Sequence, residues 1–474
     1  MVFSSLSFLF LFFPVTFLLY AAVPFAKFRN ALLILASLVF YAWGEPVYIL
    51  LLLASVVLNW LLALALGRRD TGRKAVAAAA VILNIGLLVV FKYSGFLTET
   101  ANALFRLSLP VPAIRLPIGI SFFTFQTLSY VIDVYRDKSS MQKSLPRLLL
   151  YISFFPQLIA GPIVKYHDIK DQLERRTFSF DRCAGGFRRF LYGLAKKVLI
   201  ANVMAVTADY AFGLPAASLT APAAWLGAVS YMLQIYFDFS GYSDMAIGLG
   251  KAFGFDFKEN FRYPYAAVGI KDFWRKWHIS LSTWFKEYLY IPLGGNRKGK
   301  ARTYLNQLIV FACTGLWHGA NVTFLVWGLF HGLFLILESA GILPVRKAEK
   351  HPAARFLARV YTLFVVLVGF TVFRADTMTQ AVQYLGAMFT GGPGAAADAA
   401  GALAYLTPWF LFVLAIACVV SFPVAPALES RLCRSAAGAT AYAAVSYGLS
   451  LALFALCILS LAADTYNPFI YFRF

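Results

Sequence analysis

Between Asp272 and His331 the chain gathers the side chains best suited to chemistry: Asp-Phe-Trp-Arg-Lys-Trp-His at 272–278, a basic run from Arg297 to Arg302, and Gly-Leu-Trp-His-Gly at 315–319. Guanidinium and clustered ammonium groups hold phosphates, and an indole offers a face to a purine. Just behind them come two histidines in apolar surroundings, His318 and His331. A histidine titrates near neutrality and suits general-base work at cellular pH, and a low-dielectric site favours its neutral form. An ionisable group at membrane depth is expensive and reads as functional by default. His318 is therefore the candidate chemical centre; the competing reading is a structural contact between helices.

The elements around this stretch are apolar throughout. Of 474 residues, 60% are hydrophobic, 17% aromatic and only 14% charged, more apolar surface than one soluble core can hide, which excludes an ordinary soluble enzyme. A formal charge of +20 would suggest nucleic acid in a soluble protein. Here Lys and Arg fall in short loops between apolar runs, the pattern of cytoplasmic loops and anionic-lipid contacts, so no nucleic-acid partner is expected. The five cysteines, Cys183, Cys313, Cys418, Cys433 and Cys457, show neither metal nor redox spacing, and no metal site or disulfide framework is expected.

In chain order, the run Leu6–Ala22 reads as a permanent first span with an external N-terminus. Ala31–Trp43 and Tyr48–Leu66, separated by Gly44, Glu45 and Pro46, read as a hairpin between basic flanks. Ala75–Val90 and Pro117–Val134 follow. Leu148–Val164 contains Pro156, Gly161 and Pro162 with basic residues at both ends, which predicts a re-entrant segment buried in protein. After a span ending near Phe212 and another from Trp225 to Leu249, the polar and aromatic region Phe255–Arg302 lies at the cytoplasmic surface. Leu305–Trp317 and Val322–Leu337 form an inserted pair with His318 at its apex, roughly 20 Å from the cytoplasmic end at about 1.5 Å per residue. Leu357–Val372, Leu406–Phe422 and Ala441–Leu461 complete the spans, with residues 391–401 a flexible Gly/Ala-rich connection. The prediction is an all-α polytopic membrane protein with about 12 transmembrane or inserted helices plus the re-entrant segment, forming one membrane domain over residues 1–474.

At six blocks the chain resembles the membrane-bound O-acyltransferases, specifically the bacterial alginate and peptidoglycan O-acetyltransferase branch. The blocks are Pro117-Ile-Gly-Ile-Ser-Phe-Phe-Thr-Phe-Gln126, Phe155-Pro-Gln-Leu-Ile-Ala-Gly-Pro162, Asp238-Phe-Ser-Gly-Tyr-Ser-Asp244, Asp272-Phe-Trp-Arg-Lys-Trp-His-Ile-Ser-Leu-Ser282, Tyr290-Ile-Pro-Leu-Gly-Gly295 and Leu316-Trp-His-Gly319. Together they are specific, whereas Trp-His-Gly alone is weak. The resemblance implies a ring of membrane helices around a central tunnel, with His318 catalytic and His278 at the family's second polar position. It also implies acetyl-CoA as donor substrate with no bound cofactor, an extracytoplasmic polysaccharide of the alginate, peptidoglycan or cellulose type as indirect acceptor, and a secreted esterase-like (SGNH) acetyltransferase as partner. The setting would be a bacterial cytoplasmic (inner) membrane.

For coenzyme A, the expected contacts are Arg275, Lys276, Trp274, Trp277, Arg297, Lys298, Lys300 and Trp317. Against this, the basic residues also serve topology, and Phe273, Trp274 and Trp277 also suit an interfacial aromatic belt. His331 reads as hydrogen-bonded packing, and His167 and His351 as solvated. Asp238 and Asp244, costly in an apolar run, are tunnel-lining or structural. The tail Asn467-Pro-Phe-Ile-Tyr-Phe-Arg-Phe474 resembles a Phe-x-Tyr-Phe ending whose tyrosine accepts an acyl group in related systems, which places an acyl-relay role on Tyr471; an aromatic anchor is the alternative. Two rival functions stand beside this one: acylation of a lipid or small alcohol within the membrane, and a proton-coupled transporter using Asp238, Asp244 and the histidines as a relay.

Overall fold

The computed structural model describes residues 1–348, 351–463, 466–467 and 469–470. Among these residues every regular element is helical, as the absence of water in a bilayer core demands of spanning backbone. The chain divides into two compact units, one of residues Met1–Phe190 and Ser243–Glu259, the other of Leu191–Tyr242 and Asn260–Phe474.

The first unit opens with α1 (Phe8–Ala22), too short to rank among the helices able to cross a membrane; its 15 residues reach only about 22 Å. The first span expected at Leu6–Ala22 is thus a shorter apolar helix. Next come α2 (Ala26–Gly44) and α3 (Tyr48–Arg68), broken at Glu45 and Pro46 as expected, then α4 (Arg73–Phe105) and α5 (Ile120–Arg136). Asn84 joins three of them: its Nδ2 donates to Asn59 of α3 at 2.7 Å, and its Oδ1 accepts from Thr127 of α5 at 2.9 Å. Such bonds hold helices together where lipid supplies no hydrophobic drive. After α6 (Leu145–Ser153) a single turn at Phe155–Leu158 gives way to non-helical backbone, and residues 150–166 are all buried. This matches the broken, protein-enclosed segment predicted there. His167 behind it is not simply solvated: its Nδ1 lies 3.0 Å from Asp133.

The long helices α7 (Phe180–Gly213) and α8 (Ala221–Ala252) contribute their segments Leu191–Gly213 and Ala221–Tyr242 to the second unit. There follow α9 (Ile270–Lys276), α10 (Ile279–Phe285), α11 (Gly299–His318), α12 (Val322–Ala340), α13 (Pro352–Arg374), α14 (Met378–Thr390), α15 (Ala396–Leu403), α16 (Pro408–Val420), α17 (Val424–Leu432) and α18 (Ala436–Ala463). Residues 391–401, expected as a flexible connection, contain the start of α15. The core of this unit is strongly aromatic, with Tyr236, Phe273, Trp277, Trp327, Phe370 and Phe373 all buried.

Seven described helices, α2, α3, α4, α7, α12, α13 and α18, are long and apolar enough to cross a membrane, and the pair α16–α17, bent by 61°, makes up to eight. The chain is a polytopic, all-helical membrane protein.

Candidate active site

His318 is the last residue of α11, and the helix returns almost at once as α12, whose start is capped by the Asn321 side chain accepting from Thr323 N–H at 3.1 Å. Two glycines set the spacing of this hairpin. A Cβ on Gly315 would stand 2.2 Å from the Phe324 carbonyl oxygen, and one on Gly328 would stand 2.2 Å from that of Phe311. The two backbones are in direct contact, as small residues permit between membrane helices. The apex thereby places the His318 ring edge-on to Trp327 at 5.2 Å and to Phe373 at 5.2 Å, with Trp317 at 5.0 Å.

The second histidine arrives from the corner between α9 and α10. Glu338, near the end of α12, accepts the Ile270 and Lys271 N–H groups at 2.6 and 3.0 Å and so ties down the start of α9. At the corner His278 adopts φ +45°, ψ +52°, a left-handed conformation that costs a side-chain-bearing residue about 1 kcal/mol. Asn260 holds it there. Its carbonyl accepts Ile279 N–H at 2.9 Å; its Oδ1 accepts the Ser280 N–H and hydroxyl at 3.1 and 2.9 Å and lies 3.3 Å from His278 Nδ1. With a backbone N–H fixing Oδ1 as an acceptor, Nδ1 carries the proton and Nε2 the lone pair. His278 is fully buried outside the membrane-crossing helices, and burial pushes its imidazole down to about 3, so it is neutral at cellular pH.

The rings of His278 and His318 are 6.2 Å apart, and Trp317 lies against both, 5.8 Å from His278. A narrow cavity lined by His318, Phe239, Trp277, Trp327, Phe373 and Ile470 has room for about one water-sized group. A buried imidazole at the wall of a slot, with a second, neutral imidazole beside it, is chemically able to accept and return a proton.

The structure brings His318, His278, Trp277 and Trp317 together and separates others. Trp274 and Trp277 are not in an interfacial belt: both are buried, Trp274 edge-on to Phe311 and Trp277 stacked on Phe273. The aromatic residues between 272 and 278 are wall, with no exposed indole face for a purine. Arg275 is exposed, and Lys276 pairs with Asp272 at 2.7 Å. Arg297, Lys298 and Lys300 are exposed at the opposite end of α11, with Lys300 about 27 Å from His318 along the axis. His331 is packed but not hydrogen-bonded: it stacks on Phe273, and neither ring nitrogen has a partner among the described residues. Tyr471 lies outside the described residues. Asn260 and Glu338 were missed in the sequence; Glu338 carries a signal, a single charge closing an apolar run, whereas Asn260, among Lys258, Glu259 and Arg262, carries none.

The hairpin with an imidazole at its apex and an aromatic slot around it, in an all-helical membrane protein, is the candidate active site. Residues 93–375 match the MBOAT family, membrane-bound O-acyltransferase family. A probable alginate O-acetylase AlgI of Pseudomonas putida is 40% identical over 100% of both chains. A peptidoglycan O-acetyltransferase of Helicobacter pylori is 38% identical over 82% of this chain and 80% of its own. A teichoic acid D-alanyltransferase of Bacillus subtilis is 29% identical over 54% and 68% respectively. The chain belongs to the membrane-bound O-acyltransferase family and is a multi-pass membrane acyltransferase.

Proposed function

We propose that the protein takes acetyl groups from cytoplasmic acetyl-CoA and passes them across a bacterial cytoplasmic membrane for O-acetylation of an extracytoplasmic polysaccharide, with His318 as the base. The single observation that carries this reading is His318 itself, buried at the end of α11 on the wall of an aromatic slot with His278 beside it. An acceptor hydroxyl in the slot gives its proton to His318 as its oxygen attacks the thioester carbonyl. The new C–O bond forms, the C–S bond breaks, and the coenzyme A thiolate leaves with the proton returned by the imidazolium. The imidazolium stands at the C-terminal end of α11, where the helix dipole stabilises a cation. His278, held neutral, is a neighbour of His318 and not a second charge.

Alginate and peptidoglycan are the polymers named in the most similar relatives, and either supports a polysaccharide acceptor here. Such a polymer lies outside the membrane, so delivery calls for an extracytoplasmic partner transferase. Tyr471, next in the chain to the slot-lining Ile470, is the proposed carrier between them. The transporter alternative is less well supported, because Asp238 and Asp244 each hold a cation, Lys197 at 3.0 Å and Arg189 at 2.8 Å. Purified His318→Ala protein in vesicles, given labelled acetyl-CoA, is expected to insert normally and transfer nothing; more than a few per cent of wild-type transfer would refute the role of His318.

A further inference from the structure

Within the second unit, the segment just before Tyr471 is gripped by polar side chains from two helices. Lys197 and Asp238 form an ion pair 3.0 Å long in which both side chains are almost fully buried. Asp238 uses its other oxygen, Oδ2, to accept the backbone N–H of Ile470 at 2.8 Å. Tyr242, one turn along α8, stacks on Phe469 at 4.8 Å. On α7, Asn202 donates to Asn467 Oδ1 at 3.2 Å, and Asp209 accepts the Tyr466 hydroxyl at 2.6 Å while holding Arg374 at 2.9 Å with its other oxygen. Lys197 itself sits in a π-helical turn, Lys196–Ala201, a distortion frequent at functional sites. Four of these contacts fall on Tyr466, Asn467, Phe469 and Ile470, and Ile470 is a wall of the His318 slot.

We propose that Lys197 and Asp238 form a positioning latch that seats Phe469 and Ile470 against the His318 slot, so that Ile470 closes one wall of the transfer site. This rests on the acyl-transfer reading of His318. Mere packing does not account for the pair, since apolar residues of similar volume hold helices as well as a buried ion pair does, or better. What they lack is an acceptor aimed at one backbone N–H. Buried N–H groups need such a partner, and a charged acceptor makes the stronger, more directional bond. Lys197 fixes one oxygen of Asp238 and thereby points the other at Ile470.

The test uses full-length protein in vesicles and the double variant Lys197→Met/Asp238→Leu, which removes the acceptor without leaving a lone buried charge. Three properties are measured: thermal stability, the rate at which carboxypeptidase trims the chain past Ile470, and acetyl transfer at varied acetyl-CoA. The expected result is a folded protein trimmed about tenfold or more faster, the ratio that loss of one bond to a charged acceptor corresponds to. Its kcat should fall by a similar factor while KM for acetyl-CoA stays within about twofold, because the latch does not touch the donor. Wild-type trimming in the folded double variant would overturn the proposal, and so would faster trimming with unchanged kcat. Should the double variant fail to accumulate, Lys197→Gln/Asp238→Asn decides, since it keeps both volumes and replaces the charged acceptor of Ile470 N–H by a neutral amide: faster trimming supports the latch and unchanged trimming overturns it. Protection of the tail does not depend on chemistry at His318, so failure of the acyl-transfer reading would appear in the His318→Ala assay and leave the trimming result standing.

Discussion

Gly328→Ala tests the geometry of the site without touching a reacting group. The added Cβ would meet Phe311 O at 2.2 Å, its carbonyl carbon at 3.1 Å and Gly315 N at 3.2 Å. All three are backbone atoms of α11 and cannot swing aside as a side chain would. Backbone carbon–oxygen contacts settle at about 3.3 Å, so α11 and α12 must part by about 1 Å. That parting separates Trp327 from His318, which face each other across the slot. A displacement of about 1 Å in a catalytic geometry costs about 100-fold in rate, and the overpacking costs about 1–3 kcal/mol in stability. Initial rates of acetyl transfer by reconstituted protein should therefore show kcat lowered about 100-fold with KM for acetyl-CoA little changed, beside a modest fall in melting temperature. Gly386→Ala is the control, because its Cβ would meet nothing within 4 Å. A Gly328→Ala protein with kcat within about threefold of wild type would refute the argument that hairpin contact sets the site.

The buried His278 makes the protein acid-sensitive. Its imidazole is pushed down to about 3 from 6.5, so between those values the unfolded chain holds the extra proton; stability is fully present above about pH 6.5 and is lost as pH falls toward 3. Melting temperatures of His278→Gln should depend less on pH across this window, and an unchanged slope would refute the assignment. Neutralising Arg297, Lys298 and Lys300 together should raise KM for acetyl-CoA with a smaller effect on kcat, as uniform binding of phosphates requires; an unchanged KM leaves these residues a topological role only. Tyr471→Phe keeps the ring and removes the hydroxyl, so in cells containing the partner transferase polymer acetylation should be almost lost; normal acetylation would refute the relay and leave His318 untouched.

The helices were legible in the sequence because in lipid an apolar run has few alternatives, and breaks at Gly44 to Pro46 or at Pro156 mark where a helix must end. His318 was legible for the related reason that a histidine between two apolar runs falls at a hairpin apex. The surroundings of His278 were not. Phe273, Trp274 and Trp277 have the composition of an interfacial belt and also of an aromatic core, and only their tertiary neighbours separate the two. Asn260 acts on His278 through a left-handed corner, which no local pattern of residue types announces. His331 was expected to be hydrogen-bonded because buried polar groups usually are, yet it is surrounded by rings. The residues 391–401 looked flexible from their Gly and Ala content, but Ala also favours a helix, and α15 begins there.

One helix joins the two halves of this site. Near its beginning α12 lies backbone to backbone against α11 through Gly328, which sets the partner of His318; near its end Glu338 holds the first turn of the segment that leads to His278. Both imidazoles thus take part of their setting from the same helix. A substitution that tilts α12 is therefore expected to disturb the surroundings of both imidazoles together, and not those of His318 alone.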